Sequence, residues 1–189
     1  MTGVQTCALP ISSELKPFFL DHTLLVASIH TDLILACRNS DARIVDWREG
    51  KEIFESITFV ESGKQKRLPV CPDALFQLDN GRKRLAFVLE ADRGTTTHRT
   101  FKDKLTAYCH FLERGRQQQA YGVSWLRIVT FVLSERRAAG LSRLADEHVP
   151  SRLRKYFLFA SEAYYLESGR NLLGEVFRAR IGERRVSLF

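Results

Sequence analysis

The chain is predicted to fold as an α/β sandwich, with a central mixed sheet flanked by helices. Three observations carry this. Residues 85–92, Leu-Ala-Phe-Val-Leu-Glu-Ala-Asp, open as a nearly continuous apolar run, the pattern of a strand buried on both faces. Residues 125–133, Trp-Leu-Arg-Ile-Val-Thr-Phe-Val-Leu, form a second such run. Around them lie segments whose apolar residues recur at helical spacing, so helices alternate with strands. With 189 residues and 44% hydrophobic side chains, the chain can bury the full core of a single domain.

The elements follow in order. Residues 1–12 lack the basic start and apolar run of a signal peptide and are read as a non-native leader, outside the fold. Asp21 can cap a helix running to about Arg38, with Leu25, Ile29, Leu33 and Ala36 on the buried side. Asn39-Ser-Asp41 ends it, and Arg43 to Trp47 is a short strand. Ile57 to Val60 suits a strand and Ser62 to Lys66 a loop. Asp73 to Leu78 and Leu85 to Asp92 then make a hairpin about Asn80-Gly81. Phe101, Leu105, Tyr108 and Leu112 form the stripe of the next helix. Gly115 to Gly122 is a polar connection. Ser134 caps a helix through His148, Tyr156 to Ala160 is a further strand, and residues 181–189 are a tail.

The hairpin is where the chemistry concentrates. With Asn80-Gly81 at the centre of the turn, Asp79 pairs with Arg82, Phe76 faces Leu85 and Asp73 faces Val88. Ala74, Phe76, Leu85, Phe87 and Leu89 then share one apolar face, and Asp73, Leu75, Ala86, Val88, Glu90 and Asp92 share the other. Asp73 and Glu90 become diagonal neighbours with Cα atoms roughly 7–8 Å apart. Two carboxylates so placed can share one metal ion, and Asp92 projects on the same side. Acids ending a buried strand are costly unless paired or metal-bound. Lys104, at the edge of the next helix's stripe, can reach back over the strand to steady an attacking water or a pentavalent phosphate. The expected site is therefore Asp73, Glu90 and Lys104 for catalysis, with Asp73, Glu90 and Asp92 holding Mg²⁺, a hard cation that prefers oxygen ligands.

This block, Pro72-Asp73 followed by Glu90-x-Asp92, resembles the PD-(D/E)xK nuclease superfamily, which implies a restriction-endonuclease-like sandwich and magnesium chemistry. The superfamily pattern has lysine where this chain has Asp92, and Lys104 is placed to take over that role. More narrowly, the chain resembles the replication-relaxation family of plasmid and mobile-element proteins. The resemblance rests on Leu20-Asp21-His22-Thr23-Leu24, Trp47-Arg-Glu49, Glu90-x-Asp-Arg-Gly-Thr95, Lys104-Leu-x-x-Tyr108 and Leu172-Leu-Gly174-Glu-Val-Phe-Arg178, and covers residues 18–180. It implies a DNA-processing role, either as a nicking endonuclease or as a catalytically inactive DNA-binding accessory module. It also implies a winged-helix region upstream of residue 1.

Composition agrees with DNA as partner. The net charge is +7, which favours phosphate backbones. Arg136-Arg137, Arg152 to Lys155 and Arg178 to Arg185 are the candidate contacts. The cysteines show no Cys-x-x-Cys and suit isolated thiols in the cytoplasm. No His-x-His or His-x-x-x-His spacing supports a histidine metal site of the rolling-circle type, no Walker loop is present, and no run of 18 apolar residues predicts a membrane span.

Overall fold

The computed structural model describes residues 17–180, 182 and 184–189; the leader lies outside them. The elements are α1 (Pro17–Arg38), β1 (Arg43–Glu49), β2 (Glu55–Glu61), β3 (Lys64–Val70), β4 (Ala74–Asp79), β5 (Arg84–Asp92), α2 (His98–Glu113), α3 (Arg116–Tyr121), β6 (Leu126–Val132), α4 (Glu135–His148), β7 (Phe157–Ser161) and α5 (Glu162–Glu167). Five strands form one mixed sheet in the order β1-β4-β5-β6-β7, and β2 and β3 pair as a separate antiparallel ribbon. The β1–β4 and β4–β5 pairs are antiparallel, whereas β5–β6 and β6–β7 are parallel. This is the expected α/β sandwich.

Both faces of the sheet are buried. Leu75, Ala86, Val88 and Ile128 face α2, α4 and the ribbon. Ala74, Phe76, Phe87, Leu89 and Val129 face α1 and the segment after α5. Each fully buried Phe or Leu contributes about 1.5–3 kcal/mol, so β5 is fixed from both sides. The two faces of the hairpin come out as the sequence predicts. The register does not: Phe76 pairs with Phe87, Leu78 with Leu85 and Asp79 with Arg84. The loop is longer than a two-residue turn because its own side chains close it. Asp79 Oδ1 accepts from Gly81 N at 2.7 Å, and Asn80 Oδ1 accepts from Lys83 N at 3.1 Å. A shift of two residues keeps every side chain on its face.

Other elements depart from the sequence reading for local reasons. Asp21 is not a cap, since α1 starts at Pro17; its carboxylate meets Arg93 at 3.1 Å instead. The 62–66 stretch is not simply a loop. It is the turn of the ribbon and the start of β3, whose polar residues lie on an exposed edge. Residues 116–121 close one and a half helical turns between two left-handed glycines, Gly115 and Gly122. Trp125 sits outside β6, 39% exposed, with the Lys155 ammonium 5.2 Å from its ring centroid. Residues 186–189 return to the core: Val186 bridges Phe177, and Leu188 is buried against α1. Over Leu20–Arg38, α1 is long and apolar enough to cross a bilayer by length and composition. Here Leu25, Val26, Ile29 and Leu33 pack on the sheet, while Leu20, Leu24 and Leu35 stay exposed.

Candidate functional site

The acids gather at one end of the central strands, an edge made of strand termini, because β4 and β5 are antiparallel: β4 starts where β5 ends. Asp73, just before β4, donates its N–H to Leu89 O at 2.9 Å and accepts from Ala91 N at 2.7 Å through Oδ2. It therefore lies directly alongside the end of β5, rather than diagonal to it, as a consequence of the two-residue register shift. Its other oxygen meets His22 Nε2 of α1 at 3.0 Å.

Glu90, next to Asp73 across the pair, points toward α2 and is 4% exposed. Lys104 Nζ donates to its Oε2, and Tyr108 Oη donates to its Oε1 at 2.5 Å. Lys104 and Tyr108 are one helical turn apart, so one face of α2 delivers both. Burial raises the Glu90 carboxyl; Lys104 and Tyr108 oppose this, and the Asp73 charge adds to it. Burial alone would lower the Lys104 ammonium, but the Glu90 charge and hydrogen bond outweigh it and raise it. Burial and the charge on Glu90 also push the Tyr108 phenol well up, so it remains a donor. A cavity of about 220 Å³ opens beside Glu90, Lys104 and Tyr108, walled by Leu68, Pro69 and Cys71.

Asp92, two residues along the same strand, belongs to a different network. Its Oδ2 accepts from Arg137 Nε at 2.9 Å and Nη2 at 2.7 Å, and its Oδ1 accepts from Gly94 N at 2.9 Å. Burial pushes this carboxyl up, but the Arg137 and Gly94 hydrogen bonds prevail and hold it below the usual range. Ser134 caps α4 by accepting from Arg137 N, which sets the helix start that carries Arg137 to this place.

The structure thus brings Asp73, Glu90 and Lys104 to one edge and turns Asp92 toward α4. The carboxylate donors of Asp73 and Glu90 suit a hard cation, and the cavity opens beside Glu90, while Asp73 is not part of its wall. Each carboxylate already has protein donors, and no cluster of three or more His, Cys, Asp or Glu poised for a metal occurs among the described residues. Sequence reasoning did not assign His22 to Asp73 or Arg137 to Asp92. These partners lie 51 and 45 residues away, and no local spacing signals them. Tyr108 was legible only as core, although its place four residues after Lys104 gave the shared face.

A mixed five-stranded sheet with helices on both faces defines the class, an α/β sandwich, here carrying an acid–lysine pair where β5 ends. The Replication-relaxation family model matches residues 10–125, and the chain belongs to that family. The match contains α1, the whole hairpin and α2, and so every acid and the lysine of this edge. No curated relative and no solved structure matches the chain.

Proposed function

We propose that this chain is a DNA-processing protein of plasmid replication and relaxation that nicks DNA with magnesium. The observation that carries the reading is Lys104: an ammonium from α2 reaches Glu90 where β5 ends, beside Asp73. Asp73 and Glu90 would hold the metal, and Asp92, clamped by Arg137, would be a supporting acid rather than a ligand. Magnesium supplies charge neutralisation at the scissile phosphate and a more acidic bound water. Lys104, freed from part of its contact with Glu90, would offer its ammonium to the phosphate oxygens. Tyr108 would orient the glutamate from its far oxygen, and the ribbon wall at Leu68 and Pro69 would limit water at the site.

The test is conversion of supercoiled plasmid to the open circle with magnesium present. Asp73→Ala, Glu90→Ala and Lys104→Ala should each fall to background; an unchanged nicking rate in these variants removes the site.

One observation favours a second reading, a catalytically inactive DNA-binding accessory module. His22, Lys104 and Arg137 already engage the three acids. That reading predicts salt-sensitive DNA binding, with neither cleavage nor thermal stability changing as magnesium is titrated.

A further inference from the structure

Beside Asp92 lies a second, larger cleft of about 500 Å³, at the ends of the parallel strands β5 and β6. Its walls carry Arg93, His98, Arg136 and Arg137, with Gly94 and Gly140 leaving open floor, and no acid lines it. In the two other arginine clusters singled out in the sequence, most side chains are already ion-paired. Arg152 pairs with Glu113. Arg154 is 2% exposed and bound to Asp146 and Ser142. Arg178 and Arg185 both pair with Glu135, and Arg184 pairs with Glu175. At the cleft, Arg136 is exposed and forms no ion pair among the described residues. Arg93 is held by Asp21, and Asp92 and Thr96 O together occupy the Nε and Nη2 side of Arg137, leaving Nη1. A guanidinium has five N–H donors in a rigid fork, so a carboxylate clamped on one side orients the rest.

We infer that this cleft is a subsite for the DNA phosphate backbone, and that Asp92 is a positioning residue which fixes Arg137 in its wall. This gives the acid at the motif's lysine position a task of its own. Arg136 and Arg137 contact a phosphate flanking the acid edge, with Arg93 and His98 on the opposite wall. The inference extends the DNA-processing reading but does not need cleavage.

The experiment is therefore run in EDTA, by anisotropy of a short labelled duplex over a salt series. Arg136→Ala should weaken binding about fivefold and lower the magnitude of the salt slope by about 1. Arg82→Ala, the same charge change in the exposed hairpin loop at the far end of β5, should leave both unchanged. Equal losses for the two variants would mean diffuse surface charge and overturn the subsite, as would no loss for Arg136→Ala. Inorganic phosphate stabilising the wild type but not Arg136→Ala, with duplex binding equal in both, would mark a free-phosphate site and also overturn it. Asp92→Asn should weaken the duplex in the wild-type background and have no further effect in Arg137→Ala; a loss that persists there overturns the positioning role. Nicking that fails while Arg136→Ala still loses affinity would sink the catalytic reading alone.

Discussion

Glu90 and Asp92 stand two residues apart on one strand, and they are 4% and 6% exposed. Their carboxyls nevertheless shift in opposite directions, Glu90 up and Asp92 down. Burial is the leading cause at both; Glu90 is set deeper and beside the Asp73 charge, and the partners of the two acids differ as well. Glu90 is met by a flexible ammonium and a neutral phenol, one on each oxygen. Asp92 is met by two nitrogens of one planar guanidinium and by a backbone N–H. A bidentate, preorganised clamp offsets desolvation where a single lysine does not. The contrast also divides the labour. The less fully compensated acid faces the small cavity and can change partner or protonation, whereas the clamped acid anchors the loop after β5.

The sharpest way to break this contrast is to remove each cation. Arg137→Ala leaves a buried, ionised aspartate without its clamp and should cost about 3 kcal/mol of unfolding free energy at neutral pH. Urea denaturation measures it. A cost under about 1 kcal/mol would mean that the loop N–H groups alone hold Asp92.

Lys104→Ala should cost less, about 1–2 kcal/mol, because Glu90 can respond by taking up a proton. The pH sense follows from the raised carboxyl. Its favourable contribution is complete below the ordinary glutamate value and is lost as pH rises through the folded value. The Lys104→Ala penalty should therefore grow from pH 5 to pH 8, and Glu90→Gln in that background should abolish the growth. Thermal melts across that range decide it; a flat penalty would mean that Glu90 stays ionised without its lysine.

How much of this was legible follows from the range of each signal. The apolar runs of β5 and β6 and the stripe of Phe101, Leu105 and Tyr108 are local periodicities, and they gave the layers and the reach of Lys104. The face assignment of the hairpin survived a wrong turn because a slip of two residues preserves side-chain direction. The turn itself depended on Asp79 and Asn80 bonding their own loop, which the Asn-Gly signal did not show. Lys64-Gln-Lys-Arg at the start of β3 hid a strand because an exposed ribbon edge needs no apolar alternation. The partners of the acids were not legible, because His22 and Arg137 arrive from helices on opposite faces of the sheet.

Glu135 extends the comparison to an acid that is far less buried. Its side chain is 39% exposed, and burial still pushes it up, but Ser161, Arg178 and Arg185 bring it to about 2. Partner geometry therefore outweighs burial here as at Asp92, with two guanidiniums in place of one. A lowered carboxyl stabilises the fold above its ordinary value near 4.5 and loses that contribution as pH falls toward about 2. Glu135→Gln should remove this part of the acid unfolding limb. Its neutral-pH cost should be the smallest of the three, under about 1 kcal/mol, because solvent screens a half-exposed pair. The bonds tie α4 to the returning segment that carries Arg178 and Arg185, so hydrogen exchange in residues 176–178 and 184–186 should quicken in the variant. If the acid limb kept its slope, the two arginines would be held by packing, such as Arg185 on the Tyr164 ring at 3.4 Å, rather than by the carboxylate.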